Sequence, residues 1–213
     1  MEIWSFTFNP FAENTYVIWD ETREAAVVDP GCYTPEERAE LTDFIAKKKL
    51  DVKLLLNTHA HIDHVLGNAF IKKKFGVALW LHRLEAPVLK SAEVFSGVYG
   101  IPAFESSTAD CEIKENEPIR FGNTALEVLF VPGHSPGHVA FYNRTTGILL
   151  AGDVLFNRSI GRTDLPGGDY DTLMKSIRKK LYVLPDATQV YPGHGPATTI
   201  GEEKLYNPFC AVE

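Results

Sequence analysis

Three histidines and an aspartate fall within six positions of the run LLLNTHAHIDHVLGN: His59, His61, Asp63 and His64, in a chain that has only seven histidines. Imidazole and carboxylate are ligands for zinc or iron. LLLN reads as a strand, so His59 and His61 stand where the strand ends and the chain turns. Residues two apart in extended backbone point the same way, so both rings can face one ion. Asp63 and His64 start the following helix, where adjacent side chains diverge, and His64 is poorly placed to serve the ion of His61. Two ligands for one metal and two for a neighbour is the natural reading.

The remaining ligand candidates also follow β runs. His134 lies in VPGHSPGH after ALEVLFV, Asp153 in LLAGD after GILL, and His194 in YPGHGP after TQVY. Each sits in a glycine-flanked turn, from which a side chain can project at a sheet edge. Five histidines and two aspartates at strand ends are about the complement that two metals with an oxygen-bridging carboxylate require. No thiolate is among them, which argues against a purely structural zinc.

The elements that must position these residues are legible in outline. IWSFTF and NTYVIWD, separated by NPFAE, predict a hairpin, with AAVVDPG as a third strand. TPEERAELTDFIAKKK has a Thr cap, Pro at the first helical position, acids in the first turn, and Ala39, Leu41, Phe44 and Ile45 near helical spacing. VKLLLNT predicts a buried strand, VLGNAFIKKKF a helix and ALWLH a strand, an order that implies layered α/β architecture. From Leu89 to Glu117 the pattern dissolves into what reads as a long surface excursion. PIRF, ALEVLFVP, HVAFYN and GILLAGD are then close enough to form antiparallel strands. DYDTLMKSIRKKLYVL predicts a second amphipathic helix, capped by Asp169 or Asp171, and ATQVYPGHG and TIGEEKLYNPF a last strand and a closing helix. No linker or repeat interrupts residues 1–213, which read as one domain.

Composition narrows the function. The net charge is −7, and an acidic chain without aromatic-laced basic stripes is a poor nucleic-acid binder. The lysines of FIAKKKL and IKKKFG sit at the ends of apparent helices, where the helix dipole favours them. The start, MEIWSFTFNPF, has no signal-peptide pattern, and no run approaches the ~18 apolar residues of a membrane span. Cys32, Cys111 and Cys210 are odd in number and in no CxxC pair, as expected of free thiols in a reducing compartment. A soluble cytoplasmic protein with no membrane or nucleic-acid partner is the expectation.

The order T-H-x-H-x-D-H, G-H-S-P-G-H, A-G-D and G-H-G resembles the metallo-β-lactamase superfamily over nearly the whole length. The resemblance implies a four-layer αββα sandwich with the site along one sheet edge. It also implies that His59, His61 and His134 bind one metal, Asp63, His64 and His194 the second, and that Asp153 bridges them. His138 is by the same resemblance no ligand; it is expected to donate a hydrogen bond to a ligand or to backbone, with packing as the alternative. His82 is assigned no function.

Within the superfamily, the AGD-x-LF run, the later GR, and PGHGP-x-T…E-x-x-x-NPF resemble glyoxalase II, the hydroxyacylglutathione hydrolases, in a short form. That implies hydrolysis of a glutathione thioester such as S-lactoylglutathione by a water made acidic by two divalent ions, zinc in the first place and iron or manganese otherwise. A thiolate leaves readily, so no strong general acid is required and none is evident beyond Asp63. The resemblance also places a basic residue, Arg162, at the substrate, but Asp164 stands where the family has an aromatic; the alternative for Arg162 is a structural role, bracing its loop against Asp164. The helical segment that contributes cationic residues in the full-length family would follow NPF, where this chain is near its end, so part of the glutathione site is expected to be missing or rebuilt. GRTD also resembles persulfide dioxygenases, which would hold one iron on His59, His61, His134 and Asp153. A secreted β-lactamase, an RNA-processing nuclease, a lactonase and a non-catalytic binding module of the same fold have less support.

Overall fold

The hairpin expected at the start forms as β1 (Glu2–Phe8) and β2 (Glu13–Trp19), followed by β3 (Glu24–Val28). Helix α1 (Pro35–Lys48) opens on a capping box: the Thr34 side chain accepts from the Glu37 amide while Glu37 accepts from the Thr34 amide. A cap of this kind contributes about 1 kcal/mol. Leu41 and Ile45 are its buried face. Strand β4 (Asp51–Leu56) leads to α2 (Ile62–Val65), α3 (Asn68–Phe75) and β5 (Leu79–Leu81), and α4 (Ala86–Phe95) and β6 (Cys111–Glu112) follow.

Two expectations are corrected in this stretch. The helix read over VLGNAFIKKKF ends at Val65 and restarts at Asn68. Gly67 donates its amide to the Pro30 carbonyl at 2.6 Å and lies so close to Cys32 and Pro30 that a Cβ would not fit, which pins the chain between the two pieces. The excursion read from Leu89 to Glu117 is more ordered than its composition suggests. Helix α4 runs to Phe95, Ile101 and Ile113 are buried, and Cys111–Glu112 pairs in parallel with β5. Exposed Val94, Phe95, Val98 and Tyr99 hide that order, because they break the amphipathic pattern a helix should show. Residues 102 and 103 of the excursion lie outside the described residues.

The second set of elements comprises β7 (Ile119–Phe121), β8 (Thr124–Phe130), β9 (Val139–Asn143), β10 (Ile148–Gly152), the short hairpin β11 (Leu155–Phe156) and β12 (Ser159–Ile160), α5 (Tyr170–Ser176), β13 (Gln189–Pro192), β14 (Thr198–Thr199) and α6 (Ile200–Tyr206). Asp169, not Asp171, caps α5, accepting from the Thr172 amide at 2.8 Å, and the helix continues as a π-turn over Ile177–Leu181. β8, β9 and β10 are antiparallel as expected, whereas β13 joins β10 in parallel.

The computed structural model describes residues 1–101 and 104–212. They form two six-stranded sheets, ordered β1-β2-β3-β4-β5-β6 and β14-β13-β10-β9-β8-β7, and the two-stranded β11-β12. The chain clusters into two compact units, Met1–Ile113 with Arg120–Ala125, and Lys114–Ile119 with Leu126–Glu213. Each is α/β and has its own core. In the first, Val17, Val27, Leu41, Leu55, Ile71 and Leu79 are fully buried; in the second, Leu149, Val154, Leu173, Ile177 and Val190 are. Among the described residues no helix is long and apolar enough to cross a membrane.

Candidate metal centre

In the first unit β4 ends at Leu56, and Asn57 and Thr58 carry the chain to His59. His61 is the N-cap residue of α2, in extended backbone, so Asp63 and His64 lie in its only turn. The His59 and His61 rings approach to 4.8 Å between centroids, and His64 Nε2 lies 3.7 Å from Asp63 Oδ2. The four candidates are thus brought together at one turn, where the His59 and His64 rings also approach to 4.1 Å between centroids. His59 and His64 are fully buried.

The proton positions follow from partners that can only accept. Asp29 Oδ2 accepts the Thr58 hydroxyl at 2.6 Å, and that hydroxyl has one proton to give. Its oxygen, 3.0 Å from His59 Nδ1, must therefore accept from the ring, which leaves the lone pair of His59 on Nε2. The same Asp29 oxygen lies 3.3 Å from His64 Nδ1 and places that lone pair on Nε2 as well. Asp29 Oδ1 meanwhile accepts the Thr58 amide at 2.7 Å and the Asn57 side chain at 3.3 Å. One carboxylate therefore sets the tautomer of two imidazoles. Its backbone is in the left-handed region at φ 48, which aspartate tolerates better than most residues.

Three further groups support this turn. Glu85, fully buried at the start of α4, accepts the Ala60 amide at 2.8 Å, between the two histidines. Asn9 donates to the Asp63 carbonyl at 3.0 Å and to that of Gly31 at 3.1 Å. Glu13 is fully buried, its Oε1 3.9 Å from His64 Nδ1, and burial pushes its carboxyl well above the usual carboxylate range. None of Asp29, Thr58, Glu85, Asn9 or Glu13 was singled out by the sequence. For Asp29 a signal existed: DPG after AAVV is a strand end in a turn, the pattern that picked out Asp153.

In the second unit Asp153 Oδ2 lies 3.5 Å from His134 Nε2 and 3.5 Å from His194 Nε2. His134 Nδ1 donates to the Arg162 carbonyl at 2.8 Å, which again leaves the lone pair on Nε2. His138 is different. Its Nε2 accepts the Asp153 amide at 3.0 Å, so its proton is on Nδ1 and its lone pair is engaged by backbone. The expectation that His138 donates to a ligand or backbone is thereby corrected to acceptance. His82 accepts the Leu84 amide and caps a short 3-10 turn. Arg162 turns toward Asp164, donating from Nε and Nη2 to its two carboxylate oxygens at 2.7 and 2.7 Å.

The donor set fits divalent metal ions on this chemistry: Nε2 lone pairs set by acceptors behind the rings, beside the carboxylates Asp63 and Asp153. Partners behind metal-bound histidines typically contribute about 10- to 100-fold in metal affinity. Asp29→Ala is accordingly expected to weaken metal binding by that order while the fold persists, which titration with a competing chelator and circular dichroism would check. Unaltered affinity would remove Asp29 from the centre.

The motif TTIGEEKLYNPF has a structural task. Glu203, fully buried, accepts the Thr198 hydroxyl at 2.6 Å, the Arg158 amide at 3.0 Å and the Asn207 side chain at 2.7 Å. Asn207 also donates to the Ser159 carbonyl at 3.0 Å. The closing helix thus anchors the β11–β12 hairpin just downstream of Asp153.

Comparison with known proteins agrees with this geometry. The family model described as the metallo-beta-lactamase superfamily matches residues 8–194. The hydroxyacylglutathione hydrolase GloC of Haemophilus influenzae is 39% identical over 201 residues, 93% of each chain. Among solved structures, the BLEG-1 B3 metallo-beta-lactamase superposes with a TM-score of 0.90 at 35% identity, covering 98% of this chain and 99% of the other. TTHA1623 in a di-iron-bound form does so at 0.86 and 35%, covering 97% and 99%. The histidine and aspartate side chains of the present chain are able to bind metal ions, its fold is the α/β fold of these enzymes, and it belongs to the metallo-β-lactamase superfamily.

Proposed function

We propose that the protein is a dinuclear metallohydrolase of glutathione thioesters, S-lactoylglutathione or a related acyl-glutathione. The observation that carries the substrate class is its 39% identity, over 93% of both chains, to a hydroxyacylglutathione hydrolase. In this reading His59, His61 and His134 hold one divalent ion, Asp63, His64 and His194 the other, and Asp153 bridges. The Asp153 oxygen equidistant from two imidazoles of its own unit supports the bridge. Both units act as one domain over residues 1–213, in keeping with a family model that runs across both. Zinc is the expected metal, with iron supported by the di-iron form of TTHA1623.

Two ions so held supply a water that ionises near neutral pH and polarise the thioester carbonyl. The chain supplies the rest. Asp29 and Thr58 keep the protons of His64 and His59 on Nδ1, and the Arg162 carbonyl does so for His134. Asp63, about one-seventh exposed, is the carboxylate placed to move a proton. Arg162 receives a substrate carboxylate through parallel hydrogen bonds. Three free cysteines are in keeping with a cytoplasmic enzyme.

The second reading, a mononuclear iron dioxygenase of glutathione persulfide, is supported by the GRTD sequence at Arg162 to Asp164. A substrate panel on zinc-loaded and iron-loaded protein separates the two: S-lactoylglutathione, other acyl-glutathiones, lactones, nitrocefin and glutathione persulfide. Hydrolysis of the acyl-glutathiones above all others is the expected result. Oxygen consumption with the persulfide, and no thioester turnover, would replace it with the second reading.

A further inference from the structure

Arg162 presents a guanidinium whose fork is already filled. Nε and Nη2 each meet one oxygen of Asp164, and the two side chains are 61% and 67% exposed. The backbone that carries the pair touches candidate metal ligands of its own unit. The Arg162 carbonyl receives the His134 Nδ1 proton at 2.8 Å, and Gly161 presses on the Asp153 carbonyl so closely that a Cβ would collide with it. The Arg162 guanidinium, with a backbone hydrogen bond behind it, holds the Asp164 carboxyl down to about 2, so Asp164 is a carboxylate throughout the working pH range.

The loop does not need this pair to keep its course. On one side Asn207 holds the Ser159 carbonyl and the Gly161 amide bonds to Val154. On the other, the Asp169 amide donates to Gly133 at 2.7 Å. An exposed ion pair adds little to a loop already pinned at both ends. What the pair does control is which groups the guanidinium can receive.

We propose that Asp164 is a specificity-determining residue, a resident carboxylate in the two-point fork that a substrate carboxylate would take. The proposal rests on the reading of Arg162 as the carboxylate receptor. An anionic thioester binds there by displacing Asp164, whose charge then stays within reach and opposes it. Selection is thus exercised by a repulsive element as much as by an attractive one. A substrate arm without a carboxylate meets no such competition, so Asp164 narrows the advantage that Arg162 gives a carboxylate-bearing arm.

The test reads binding and turnover side by side on zinc-loaded protein. Asp164→Asn keeps the size of the side chain and removes its charge. It is expected to lower the Kd of glutathione by calorimetry, and the KM of S-lactoylglutathione, by roughly two- to fivefold, the scale of losing one exposed competing charge. The gain should be absent with glutathione diethyl ester, whose carboxylates are masked, and absent in the double variant Arg162→Ala/Asp164→Asn. A brace would behave otherwise: loss of metal, a lower melting temperature or a higher KM in both Asp164→Asn and Asp164→Ala overturns the proposal. So does an equal gain for the diester, or no glutathione binding by either wild type or variant. If glutathione binds in the expected pattern but the thioester is not turned over, the thioester reading falls and the role of Asp164 stands.

Discussion

Asp153→Asn is expected to lose metal and to slow thioester hydrolysis by orders of magnitude. The substitution keeps the volume of the side chain, and the Asp153 amide stays anchored on His138 Nε2, so the change is confined to one charge. That charge has an unusual position. A single oxygen, Oδ2, faces two imidazole Nε2 atoms at 3.5 Å each. With the proposed bridge, losing the anion removes a ligand from both ions at once and leaves two cations facing each other with less compensation. Total metal by elemental analysis should fall together with kcat. Two equivalents retained with near-normal kcat would contradict the bridging role.

Asp63→Ala separates the two proposed chemistries most sharply. In the dinuclear hydrolase Asp63 and His64 hold the second ion, so the variant should bind close to one equivalent and hydrolyse thioester orders of magnitude more slowly. In the mononuclear dioxygenase neither residue is a ligand, and one iron should persist with its oxygen consumption intact. The experiment is clean for a structural reason. Asn9 holds the Asp63 carbonyl, not its carboxylate, and the His64 ring is oriented by Asp29, so truncating the Asp63 side chain leaves the neighbouring supports in place. Persulfide activity that survives Asp63→Ala counts for the second reading, and loss of thioester hydrolysis together with one metal counts for the first.

Much of this candidate centre is legible in the sequence because its proposed ligands obey a local rule. His59, Asp153 and His194 each follow a strand within a few residues, and period-two alternation and turn residues are short-range signals that one chain displays without its fold. The same is true of the Thr34 capping box and the Asp169 cap, which span three residues each. The break of α2 from α3 escaped notice because its cause, the approach of Gly67 to Pro30 and Cys32, is thirty-odd residues distant in sequence.

What supports the ligands was decided by tertiary structure alone. Asp29 reaches His64 across 35 positions and Thr58 across 29; Glu85 reaches Ala60 across 25, and Asn9 reaches Asp63 across 54. No spacing rule links such pairs, since their meeting depends on β3 and β4 pairing in parallel and on where the intervening helices pack. The sequence by itself pointed to which side chains are candidate metal ligands and to the elements on which they stand. Which ring nitrogen carries each proton depended on the neighbours folding supplies, because a hydrogen bond is set by distance in space and not by distance along the chain.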